Sequence, residues 1–65
     1  MYNSSITTDR EVIPQEVTIS PDAMTIPKRA ILIGERVING IVTYWNIMFQ
    51  DGTTEWVYPS WVKFN

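Results

Sequence analysis

Residues 31–62 read ILIGERVINGIVTYWNIMFQDGTTEWVYPSWV, and two dipeptides within them, Asn39-Gly40 and Asp51-Gly52, decide the fold. A two-residue type I′ turn needs positive φ at both central positions, which Asn, Asp and Gly tolerate better than other residues. Each dipeptide sits between runs rich in β-branched and aromatic side chains. The pattern predicts a three-stranded antiparallel meander over Ala30–Ile38, Ile41–Gln50 and Thr53–Tyr58.

Two-residue turns also predict a register. Ile38 would face Ile41, Val37 would face Val42, Arg36 would face Thr43, and Gly34 would face Trp45. Across the second turn Phe49 would face Thr54, Ile47 would face Trp56, and Trp45 would face Tyr58. Side chains alternate along a strand. Trp45, Ile47, Trp56 and Tyr58 would then share one face, and Tyr44, Met48 and Val57 the other. Both faces are substantially apolar, so the sheet should curl into a barrel or be covered. Gly34 beneath Trp45 is the expected corner.

Upstream, Pro14, Pro21 and Pro27 rule out a continuous helix between Glu11 and Lys28. Val17 and Ile19 alternate with polar neighbours, so Val17–Ser20 is expected as a further strand. Ser20-Pro21-Asp22-Ala23-Met24 has an N-cap residue, a proline in first helical position and an acid in the first turn, which suits one helical turn. Downstream, Pro59-Ser60 interrupts the ladder and Trp61–Phe64 resumes as a short terminal strand. The expected fold is all-β, a small five-stranded barrel built on the meander. Residues 1–15 are expected as a flexible or loosely attached acidic leader, and residues 16–65 as the barrel.

The chain has 65 residues, no cysteine and no histidine. That length makes one domain, which buries about 60% of its unfolded surface. Without Cys or His there is no disulfide, no thiolate nucleophile and no classical zinc site, and the commonest general base is missing. The seven acidic residues are scattered and match no calcium loop. Glu35, Asp51 and Glu55 fall at strand and turn positions that suit solvated carboxylates. The expectation is a non-enzymatic protein with no cofactor and no bound metal. No apolar run approaches the ~18 residues of a membrane span, and a cytoplasmic protein is expected. The net charge is −2. Residues 1–27 hold Asp9, Glu11, Glu16 and Asp22 against Arg10, a net of −3.

The segment Trp56-Val57-Tyr58-Pro59-Ser60-Trp61-Val62 resembles the end of an SH3 domain, where a strand runs into Pro-Ser, one helical turn, an aromatic and a valine. Gly40 through Trp56 also resembles Tudor-type barrels. The resemblance covers about half the chain and implies an SH3-like barrel, the group that includes SH3, Tudor and chromo-barrel modules. In SH3 domains the proline and the aromatic line a peptide groove, which implies that role for Pro59 and Trp61. The alanine-leucine-tyrosine opening, the acidic loop and the tandem tryptophans of SH3 domains are absent.

Tyr44, Trp45, Phe49, Trp56, Tyr58, Trp61 and Phe64 lie within 21 residues. Roughly four of these would fill a small barrel, leaving the rest at the surface, where Trp and Tyr are typical interface anchors. Tyr58 and Trp61, flanking Pro59, are the leading candidates for partner binding, followed by Tyr44. The expected partner is a larger protein, bound through this patch or through an open sheet edge. One form of this is a virus-encoded accessory or inhibitor protein. A self-complementary apolar face would permit a homodimer. Stacking of single-stranded nucleic acid on the aromatics is the alternative. It is disfavoured by a total of only five Lys and Arg in an acidic chain.

Overall fold

A computed structural model describes residues 5–65. It is all-β: β1 (Thr7–Ile19), β2 (Lys28–Ile38), β3 (Ile41–Met48), β4 (Thr54–Val57) and β5 (Val62–Phe64), with a single 3-10 turn over Pro59–Trp61. The five strands form one antiparallel sheet in the order β4-β3-β2-β1-β5, curled into a half-barrel. Among the described residues, no helix is long and apolar enough to cross a membrane.

The Asn39-Gly40 turn forms as the sequence requires. Both residues have positive φ, 51° and 81°, and Ile38 pairs with Ile41. The Asp51-Gly52 turn differs. Phe49 N–H donates to Thr53 O and Gly52 N–H to Phe49 O, so three residues, Gln50 to Gly52, make the connection. Only Gly52 takes positive φ, 89°. Asp51 is held otherwise by its own carboxylate, which accepts from Thr53 N–H at 3.0 Å and Thr53 Oγ1–H at 2.7 Å. This is the three-residue hairpin, a type I turn closed by a glycine.

The extra residue shifts the register by one and corrects the expected faces. Trp45 pairs with Val57, Asn46 with Trp56, and Ile47 with Glu55. Trp56 therefore leaves the face of Ile47. Two further irregularities, at Leu32/Gly34 and Arg36/Val37, shift β2 against β3. Gly34 consequently faces Asn46 and Arg36 faces Tyr44, in place of the expected Trp45 and Thr43. Gly34 is needed for a different close approach. A Cβ there would meet the Arg10 carbonyl oxygen at 3.0 Å.

β1 extends well beyond the expected Val17–Ser20. Gln15–Ile19 pairs with Lys28–Leu32, and Thr7–Glu11 pairs with Gly34–Ile38. The strand thus covers much of the stretch anticipated as a leader; residues 1–4 lie outside the described residues. Between Glu11 and Gln15 the register shifts, where Pro14 has no N–H to give to a ladder. The stretch after β1 forms a bend and turn rather than a helix, and its cap is Asp22 instead of Ser20. The Asp22 carboxylate accepts from Met24 N–H, Thr25 N–H and Thr25 Oγ1–H.

The core is Val17, Ile19, Ala30, Leu32, Ile47, Val57 and Val62, all on the inner face at one end of the sheet. Among the described residues no aromatic is fully buried, against the four expected. Trp45, Phe49 and Trp61 pack around the core half-buried, while Trp56, Tyr58 and Phe64 are exposed. The other end is a three-stranded ribbon, residues 7–11, 34–38 and 41–44, with little behind it. The molecule is accordingly elongated, 46 × 26 × 19 Å.

Candidate functional site

The corrected register brings the anticipated binding residues together. Tyr44 on β3 lies beside Tyr58, just past β4, with ring centroids 5.5 Å apart. The expected pairing would have put these two on opposite faces. Tyr58 in turn meets Trp61 edge to face at 5.3 Å, an arrangement that aromatic quadrupoles favour. Pro59 opens the 3-10 turn between them, and Trp61 N–H donates to Tyr58 O at 3.0 Å. The turn carries Trp61 back over the core in time for Val62 to pair with Ile19. The result is a row, Tyr44-Tyr58-Trp61, whose centre is 52% exposed and whose end is anchored in the core.

Trp61 also belongs to a cleft of about 710 Å³ at the core end, between the 20–27 connection and the Asp51-Gly52 turn. Ile19, Ile26, Phe49 and Trp61 give it apolar walls, with Lys28 and Glu55 among its charged lining. Lys28 Nζ stands 5.8 Å from the centre of the Phe49 ring. Neither Phe49 nor Lys28 was singled out from sequence. Their meeting depends on how an eight-residue connection folds against a turn twenty-odd residues later, which no local pattern announces.

A second constellation lies on the outer face of the ribbon. The Arg36 guanidinium sits 4.2 Å from the centre of the Trp56 ring and makes a two-pronged contact with Asp9, Nε to Oδ1 at 2.8 Å and Nη2 to Oδ2 at 3.0 Å. Hydrogen bonding from Arg36 holds the Asp9 carboxyl below its ordinary pKa, and Asp9 raises that of Arg36. On the inner face, one position along, Arg10 pairs with Glu35. The turn correction and the shifts of β2 against β3 together put Trp56 within reach of Arg36.

Asp9, Asp22, Glu35 and Asp51 have structural work. Asp22 and Asp51 close their own turns, and hydrogen bonds from Thr25 and Thr53 respectively hold both below the usual carboxylate pKa. Among the described residues, no three His, Cys, Asp or Glu side chains converge as a metal site. Compared with known proteins, the chain matches no family model, no curated protein and no solved structure.

Proposed function

We propose that this chain is a non-enzymatic binding module, an SH3-like half-barrel that docks on a larger protein through the Tyr44-Tyr58-Trp61 row and Pro59. The observation that carries this reading is the row itself. Three aromatics from β3, the end of β4 and the 3-10 turn are aligned by the fold, and their centre is solvent-exposed, while no aromatic among the described residues is fully buried. Rigid, amphipathic side chains of this kind are the usual anchors of protein interfaces. The SH3-like assignment is supported by the 3-10 turn at Pro59–Trp61, where the sequence resembles an SH3 terminus, and by β1 pairing with both β2 and β5. An accessory or inhibitory role on a larger protein is one form that such docking takes.

Base stacking uses similar aromatics but needs a basic track. Arg10 and Arg36, two of the five basic side chains, are engaged by carboxylates, which favours the protein reading. The test is capture of partners from lysate of the source organism by the tagged protein, with and without nuclease, using wild type and Tyr58→Ala. A discrete protein that survives nuclease and is retained at least about tenfold less by the variant supports the proposal. Recovery abolished by nuclease transfers the row to nucleic-acid stacking. Undiminished capture by a Tyr58→Ala protein of unchanged β-spectrum removes the row from the interface.

A further inference from the structure

The edge of the sheet opposite β4 offers a different kind of contact. β1 is covered on its outer side only where β5 pairs with Val17–Ile19. From Thr7 to Gln15 that side is open among the described residues. The direction of its backbone groups follows from the ladder. Asn39 N–H donates to Ile6 O at 2.8 Å, and Ile6 N–H reaches Asn39 Oδ1 at 2.9 Å, so Ile6 bonds inward. In an antiparallel pair the residues alternate in this respect. Thr8 and Arg10 therefore also bond toward β2, and Thr7, Asp9 and Glu11 turn their N–H and C=O groups outward. The register shift at residues 12–14 reverses the alternation. Beyond it the outward residue is Glu16, whose carbonyl accepts from Asn65 beside β5.

Open edges invite a further strand, and proteins commonly blunt them with charge, proline or bulges. Here proline and a bulge block one end, at Pro14, and the rest of the edge carries charge at Asp9, Arg10 and Glu11. What remains is a stretch of three outward residues with an asymmetric character. Asp9 shares the outer face with Arg36, its cross-strand partner, and Glu11, two residues on, points the same way. Arg10 points to the inner face and is taken by Glu35. With Asp9 shared by Arg36, the outer face beside the open groups is acidic by the one charge of Glu11, while Ile6 and Ile13, 70% and 85% exposed, bracket the stretch.

We propose that the outer edge of β1, Thr7–Glu11, receives a sixth strand from an extended basic segment of a protein partner. Lysine or arginine side chains at alternate positions would lie beside Asp9 and Glu11, with apolar residues at either end against Ile6 and Ile13. This rests on the reading of the chain as a protein-binding module, and it assigns a surface on the far side of the sheet from Tyr58. Main-chain hydrogen bonds supply the attachment and the charged pairs supply the choice of partner.

The probe is a short synthetic peptide alternating threonine and lysine between two isoleucines, titrated into the isotope-labelled chain and followed by amide spectra and exchange. The amides of Thr7, Asp9 and Glu11 should shift and gain protection, while those of Thr8 and Arg10, already bonded to β2, gain none. A twin peptide with glutamate for lysine should bind roughly tenfold more weakly, because each opposite-charge pair becomes a like-charge one. Glu11→Pro removes an outward donor and leaves the β1–β2 ladder its bonds. It should abolish the response while the amides of Ile47 and Val57 stay as in wild type. If Glu11→Pro disturbs those core amides, Thr7→Pro makes the same test at the other end of the stretch. Shifts at Tyr58 and Trp61 instead would overturn the edge assignment and leave the binding-module reading standing. Equal binding of both peptides, protection that appears with protein concentration alone, or no response at these three amides would each overturn the proposal.

Discussion

The two ends of this sheet share three strands and are held together differently. At the core end β1, β2, β3, β4 and β5 all contribute aliphatic side chains to one cluster, and Val17 and Ile47 are entirely removed from solvent. At the ribbon end only β1, β2 and β3 continue. There the side chains that cross between strands are charged pairs and half-exposed β-branched residues: Asp9–Arg36, Arg10–Glu35 and Val37–Val42. Burial stabilises in proportion to apolar area withdrawn from water. Exposed ion pairs contribute much less. One ladder of hydrogen bonds therefore joins a region fixed by the hydrophobic effect to a region fixed mainly by register.

The sharpest way to break the comparison is a pair of isoleucine truncations on one strand. Ile47 is fully buried, and Ile41, six residues away on β3, is 68% exposed. Ile47→Ala should lose about 2–5 kcal/mol through the vacated volume. In a domain this small that is much or all of the stability. Ile41→Ala should stay within about 0.5 kcal/mol of wild type. Thermal or urea unfolding of the two variants measures the difference. Similar losses would mean that the ribbon tip is covered in solution.

Gly34 sharpens the boundary between the ends. It is buried where β2 passes the irregular part of β1, and an added methyl would press on the Arg10 carbonyl oxygen, a backbone atom with little freedom to yield. Gly34→Ala should cost about 1–3 kcal/mol by overpacking, with the disturbance greatest at Arg10 and Glu11 in amide spectra. A neutral result would show that β1 adjusts its course freely at this point.

That boundary is also where the sequence ceased to be legible. Asn39-Gly40 announced its turn because both residues carry the positive φ it needs. Asp51-Gly52 looked equivalent, but the Asp51 side chain bonds to Thr53 and only the glycine takes that conformation. One residue of difference in a turn reverses every side chain that follows, so Trp56 was assigned to the wrong face and the Tyr44–Tyr58 contact was hidden. The residues Tyr44, Tyr58, Pro59 and Trp61 were nonetheless recognisable as a group, since their chemical type does not depend on register. The irregularities near Leu32, Gly34 and Arg36 arise from how three strands accommodate one another and leave no mark in a single strand. The proline at position 14 did mark a break, and what lay beyond it toward the N-terminus continued as strand.

The smallest expected effect bears on how firmly that continuation is attached. Residues 7–11 are all exposed, and beyond the backbone ladder the Asp9–Arg36 contact over Trp56 and the Arg10–Glu35 pair hold them to β2. A carboxyl whose folded pKa lies below its unfolded one contributes stability above the unfolded value, and that contribution is lost as pH falls through the folded value. For Asp9 the loss begins below about pH 4, the ordinary aspartate range. Protection of the Thr8 and Arg10 amides, which bond inward, should therefore decline in acid before that of Val17 and Ile19 on the same strand. Asp9→Asn should produce the same selective loosening at neutral pH, and high salt should reproduce part of it. Uniform protection along β1 under all three conditions would mean that the ladder alone suffices and the ion pairs only fix its register. Selective loss would assign the hold on residues 7–11 to these side-chain contacts, because the β1–β2 ladder runs through both ends while β5 pairs only with Val17–Ile19.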